Sequence, residues 1–297
     1  MIRAVIYALV PLAVLLATTT LACFAGYFIT LGLDGRFPIS KVATKTTQLL
    51  LVLSIFPAMS WLKLNREYLG FAEKKRFFTQ LWQGFGLGLL TLLPVFIIEY
   101  ALGIHIIDET KNWTFSYTLE KIAGSLALAL LISLIEEPIF RGLLFAGLKK
   151  KLNVMAAVLL SSSYYAALHF ADSHTEIPYE QLSIFSGFSL MLEAFANILN
   201  PVNYSAFFAL LMVGAFLGLI RTHIKAGLGL CIGIHTSWVW QIKMSKSLLN
   251  INAKSDYLYL VSPYDGVIGP LVTGWLMLAI MAYFAYRNFS GPRTGMR

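Results

Sequence analysis

Long apolar stretches recur from one end of the chain to the other, near 4–32, 46–63, 81–106, 119–147, 153–170, 204–221, 226–243 and 263–286. A hydrocarbon core offers no water to backbone N–H and C=O groups, so a spanning segment has to satisfy them internally, as a helix does. Each crossing needs roughly 20 apolar residues. The sequence therefore predicts an all-α fold, a polytopic transmembrane helical bundle of about eight helices, forming a single integral membrane domain over 1–297. Composition agrees: 58% of residues are hydrophobic and 13% charged, with a mean hydropathy of +0.70, which separates the chain from soluble domains.

The first stretch follows a single Arg3 and so has the outline of a secretory signal. Its apolar run of about 30 residues is too long for such a signal's core and reads as a retained anchor. "TLAC" before Phe24 matches a lipoprotein cleavage site only loosely, since Thr20 stands where leucine is normal. The stretch 181–199 is apolar but broken by Gly187, Glu193 and Asn197; it reads as an interfacial or re-entrant helix, and spanning would reverse the parity of everything after it. Cys23 and Cys231 lie in different apolar segments without metal or redox spacing and read as packing residues. The net charge of +8 is scattered among loops rather than gathered in one patch, which argues against nucleic acid. With the amino terminus inside, most Lys and Arg fall on the inner side, including Lys225 and the basic carboxyl end, while 172–203 carries acids and no Lys or Arg. The positive-inside rule then places the chain in the cell (plasma or inner) membrane with both termini cytoplasmic.

Against this background "SLIEEPIFRGLLF" at 133–145 is anomalous, because it sets Glu136, Glu137 and Arg141 inside an apolar run. A charged side chain at mid-membrane costs about 2.5–3.5 kcal/mol on insertion scales, so such groups face protein or water. Glu137 and Arg141 are four apart and share a helix face, as a carboxylate–guanidinium pair requires. Glu136 is turned by about 100° and can point elsewhere. Pro138 removes an N–H, frees the carbonyl of Leu134 and bends the helix, making room beside the glutamates. At about 1.5 Å per residue, Glu136, His169 and His235 lie roughly 18, 24 and 14 Å from the cytoplasmic edge, a common level within boundary error. A desolvated glutamate with a neutral histidine can activate water, and a second histidine can donate to a developing oxyanion.

Structural explanations compete with each assignment. Glu137 and Arg141 read first as an ion pair that braces the wall, and either histidine alone reads as a satisfied interior residue. His105, His174 and His223 sit near segment ends or loops and read as interfacial. Glycines at 214 and 218, and at 229 and 233, have the small-xxx-small spacing of close helix contact.

At these residues the chain resembles the CPBP intramembrane protease family, the CAAX-processing and bacteriocin-processing enzymes also called Abi. The E-E-x-x-x-R motif is matched by Glu136, Glu137 and Arg141; the aromatic-x-x-x-His motif by Tyr165 and His169; and the glycine-rich third motif by "GAFLGLIRTHIKAGLGLCIGIH", which leads into His235. The resemblance implies a catalytic core at 119–243 in which Glu136 and His169 activate the hydrolytic water, His235 helps stabilise the tetrahedral intermediate, and Glu137 and Arg141 support the site. The family's fourth motif has asparagine four residues after the last histidine, where this chain has Val239; the indole N–H of Trp238 is the candidate substitute. No cofactor is favoured, although a divalent metal such as zinc on Glu136, His169 and His235 stays open. The expected function is an intramembrane endopeptidase, with membrane lipid and a membrane-associated or lipidated peptide as partners. Two other classes stay open: a non-enzymatic peptide-binding or immunity protein, and a proton-coupled transporter, since buried Glu and His also build proton relays.

Overall fold

The computed structural model describes residues 2–289 apart from 112 and 225. Lys225 and the basic carboxyl-terminal residues used in the charge argument lie outside the described residues. Among the described residues the architecture is an all-α membrane bundle with one short strand pair. Helices α1 (Ile2–Gly32) and α2 (Ile39–Leu62) form a hairpin, its turn made by Asp34 and Gly35 at positive φ. A one-turn helix, α3 (Arg66–Leu69), is capped by Asn65, whose side chain accepts from the Tyr68 N–H. It leads into α4 (Lys74–Ala101). Next come strand β1 (His105–Ile107) and α5 (Phe115–Glu137). A π-helical segment, Pro138–Leu144, carries α5 on into α6 (Phe145–Lys149). The remainder is α7 (Val154–Leu168), α8 (Ser186–Ile198), α9 (Tyr204–His223), α10 (Leu228–Leu248), β2 (Leu249–Ile251) and α11 (Pro270–Phe289).

Among the described residues five helical stretches are long and apolar enough to cross a membrane: Val5–Gly32, Ile39–Leu62, Arg66–Ala101, Phe115–Lys149 and Pro201–His223. Val154–Leu168 and Pro270–Ala285 are apolar but shorter. Helix α10 is the informative exception, since His235, Thr236, Ser237, Gln241 and Ser245 give it a polar character and all are buried. It packs between α4 and α5, so its surroundings are protein, where polar side chains that lipid would penalise can be carried. The α4 contact is close because a Cβ at Gly233 would meet the Leu81 carbonyl and one at Gly84 the Leu230 carbonyl. That is the small-residue contact the sequence spacing implies. Gly214 similarly lies against Ser162 of α7, and Gly218 against Val158.

Two local expectations change, at 81–106 and at His105, and the stretch 181–199 resolves into a short helix. Helix α8 has 13 residues, about 20 Å at 1.5 Å per residue, which is too short for a hydrocarbon core of about 30 Å. It lies against α1, where Gly187 touches Cys23, and exposes Phe185 and Leu192. The expected crossing 81–106 ends at Ala101, because β1 pairs antiparallel with β2 in the register His105↔Ile251. His105 is buried rather than interfacial, with Nδ1 3.3 Å from Oε2 of the fully buried Glu99. His174 is in an exposed loop, and His223 ends α9 beside Tyr283.

A candidate active site at the π-helical turn

Pro138 decides the local geometry. Having no N–H, it cannot bond the carbonyl one turn back, and the helix widens into π geometry over Pro138–Leu144 instead of simply bending. Such segments are rare and concentrate at functional sites. The two preceding glutamates diverge. Glu137 is fully buried, and its Oε1 accepts from His235 Nδ1 at 2.8 Å while Arg141 Nη1 stands at 3.1 Å. Arg141 is itself buried, its guanidinium 4.2 Å from the centre of the Tyr165 ring. Ion pair and aromatic face together shield a charge that would otherwise be costly at this depth. The pair does more than brace a wall, because it also grips one of the histidines.

Glu136 turns the other way. Its side chain is 29% exposed and its Oε2 lies 3.9 Å from His235 Nε2. His169 is not within its helix as the sequence suggested; it caps the carboxyl end of α7, and its Nδ1 donates to the Tyr165 carbonyl at 2.8 Å. The Tyr165 ring stands between the two imidazoles, with centroids 4.5 Å from His169 and 6.2 Å from His235. Since a carbonyl and a carboxylate only accept, these partners place a proton on Nδ1 of both histidines. Glu136, His169 and His235 line one cavity of about 460 Å³. The structure thus brings these three side chains to one cavity.

Trp238 needs a correction. It lines the cavity, but its indole N–H donates to Thr91 Oγ1 at 2.9 Å, and the Thr91 carbonyl accepts from Trp275 Nε1 at 2.7 Å. The N–H proposed to replace the missing asparagine is therefore committed to the wall. Gln241 Nε2 donates to the Ser237 hydroxyl and to the Gly88 carbonyl of α4. Val239 does face the cavity. Sequence reasoning missed Lys243, Lys246 and Asp265, which line the same space; the two lysines could have been found by extending the His235 face along α10. Among the described residues no group of three His, Cys, Asp or Glu side chains could hold a metal ion. Glu136, His169 and His235 are not such a group as they stand.

No curated protein and no solved structure matches the chain. Residues 118–241 match the family model described as "Type II CAAX prenyl endopeptidase Rce1-like". That interval holds the paired glutamates, the arginine, both cavity histidines and the π-helical turn that separates the acids. Over this segment the chain is similar to the CAAX intramembrane protease family that its motifs resemble.

Proposed function

We propose that the protein is an intramembrane endopeptidase that hydrolyses a peptide bond of a membrane-associated or lipid-anchored polypeptide. The observation that carries this reading is Glu136 Oε2 facing His235 Nε2 across 3.9 Å inside a cavity shared with His169. A gap of that size is one that a water can bridge. Glu136 takes a proton as the water oxygen attacks the scissile carbonyl, and His169, fixed through its Nδ1–H, accepts from the same water at Nε2. The proton then passes from Glu136 to the leaving amine as the C–N bond breaks. In this scheme His235 enters the step as the imidazolium, charged before the substrate binds: its Nδ1–H stays on Glu137, and its Nε2–H donates to the developing oxyanion and is kept, so that no proton is drawn from the hydrolytic water. Glu137 and Arg141 are thus positioning residues. The core at 119–243 supplies this machinery, membrane lipid surrounds it, and the peptide substrate enters the cavity. Side chains and water carry these steps without a cofactor.

The test begins with membranes from cells holding the wild-type chain or Glu136→Gln, compared by proteomics for a peptide processed only by the former. Cleavage of that peptide by purified protein is expected to fall at least about 100-fold in Glu136→Gln, the usual scale for losing a general base. Full activity in a folded variant overturns the mechanism. Val239 on the cavity wall favours one other reading, a peptide-binding protein without catalysis. That reading gains if Glu136→Gln and His169→Ala both leave the cellular phenotype intact.

A further inference from the structure

His169 closes its helix, and the backbone there is held loosely. The N–H groups of His169, Phe170 and Ala171 donate to the carbonyls of Ala166, Ala167 and Leu168 at 3.3, 3.1 and 3.4 Å, a tightened last turn with poorer bond geometry than an α-helix. Such an end frays unless the chain beyond it is held. Helix α8 holds it. Asn197 Nδ2 donates to the Phe170 carbonyl at 3.2 Å and to Asp172 Oδ1 at 2.7 Å. Glu193, one turn earlier on the same face, accepts the Ser173 hydroxyl at 2.6 Å on Oε2 and the His174 N–H at 3.0 Å on Oε1. Helix α8 is itself seated on α1, with Gly187 against Cys23 and the Phe188 ring edge-on to Phe24 at 4.9 Å. Among the described residues that line the cavity there is neither Glu193 nor Asn197, so they reach the site only through the chain they hold.

We propose that Asn197 and Glu193 are positioning residues for His169: by clamping 170–174 to α8 they keep the imidazole in the one orientation in which Nδ1–H stays on the Tyr165 carbonyl and Nε2 is free to meet the water. The proposal rests on the endopeptidase reading for the use made of Nε2, but not for the orientation itself. A reacting group misplaced by about 1 Å costs about 100-fold in rate. Loss of one clamp loosens the histidine without removing it, so about tenfold is the expected scale. The loss falls on kcat, because the clamp touches no substrate.

The chain has five histidines, few enough for their ring signals to be read by NMR of the full chain in detergent, with histidine carrying the heavy nitrogen isotope. The His169 signals are those missing from His169→Gln. At about pH 8, where an ordinary imidazole is neutral, wild-type His169 is expected in the Nδ1–H tautomer alone. Asn197→Asp, nearly equal in size, removes the donor to the Phe170 carbonyl and sets a second charge against Asp172. It is expected to give His169 a mixture of tautomers and to lower kcat on the processed peptide about tenfold, with KM within about twofold. Glu193→Ala is expected to do the same, and carries the test if Asn197→Asp does not fold. Glu193→Gln, whose amide can still accept the His174 N–H and donate to the Ser173 hydroxyl, is expected to retain the wild-type tautomer and rate. An unchanged His169 spectrum and kcat in a folded Asn197→Asp or Glu193→Ala protein overturns the proposal even if the thermal midpoint drops, since a brace with no bearing on the ring behaves in that way. A wild-type His169 in the Nε2–H form overturns it as well. Full cleavage by Glu136→Gln would instead sink the protease mechanism and leave the spectral result standing.

Discussion

The two adjacent glutamates differ in what surrounds them, and this makes them separable by mutation. Glu137 lies fully buried between Arg141 and His235. Its replacement by glutamine leaves a guanidinium without its counter-charge in a dry setting, where breaking a buried pair costs about 3–5 kcal/mol. Glu137→Gln is therefore expected to lower the thermal midpoint in detergent as well as activity, whereas Glu136→Gln, at a half-exposed position, is expected to leave the midpoint nearly unchanged. Equal midpoints for the two variants would refute this division. Val239 gives the opposite kind of test. It faces the cavity one turn from His235 while the nearest indole N–H is bound to Thr91. Val239→Asn adds a donor where the wall offers none, and a missing oxyanion donor is commonly worth about 100-fold in kcat. The variant is expected to raise kcat at least several-fold, read by initial rates on the processed peptide. The divergence of the two glutamates could be read in the sequence because a rotation of about 100° between neighbours is fixed by helix geometry. The bond from Trp238 to Thr91 joins residues 147 apart; nothing local encodes it, so the indole looked free.

At the scale of elements, legibility followed length. The long apolar helices were plain in the sequence because bilayer thickness leaves them little freedom. The π-helical segment was half legible: Pro138 announced a disturbance, but whether a helix kinks or widens depends on the neighbours that accept the altered turn. The β1–β2 pair is only three residues on each side, too short for any alternation to register, and it was missed. Its surroundings carry a pH prediction. Asp108 follows β1; its N–H donates to the Leu248 carbonyl, and its carboxylate takes the Thr110 hydroxyl at 2.5 Å and Lys111 Nζ at 3.0 Å. The Thr110 hydroxyl first, then Lys111, hold its pKa down at about 2. A depressed carboxylate contributes stability above its unfolded pKa near 3.9, and the contribution is lost as pH falls through the folded value. Amide exchange at Asp108 is expected to accelerate between about pH 4 and pH 2, and Asp108→Asn to remove that pH dependence. An unchanged profile in Asp108→Asn would show that this carboxylate does not fasten the end of α10.

For the whole molecule, the strand pair also fixes the parity of the bundle. Segments 105–107 and 249–251 can pair only on one side of the membrane. They do so if the four segments between them, α5 with α6, α7, α9 and α10, each cross once while α8, which packs on α1, does not. Loops 33–38, 102–114, 169–203 and 249–269 then share one face, and 63–73, 150–153 and 224–227 the other. The cavity mouth, at Lys246 and Asp265, belongs to the first face. The basic residues from Lys63 to Arg76 belong to the second, which the positive-inside rule assigns to the cytoplasm. The mouth is therefore expected to open away from the cytoplasm, towards substrates that have already crossed. Single cysteines at two exposed positions, Lys254→Cys and Lys75→Cys, in a chain whose buried Cys23 and Cys231 are replaced by alanine, test this with a membrane-impermeant maleimide on intact cells. Labelling of the first and not the second is the expected result. The reverse pattern would turn the protein over and give the cavity to lipid-anchored proteins of the cytoplasm, while labelling of both would break the parity that the strand pair imposes.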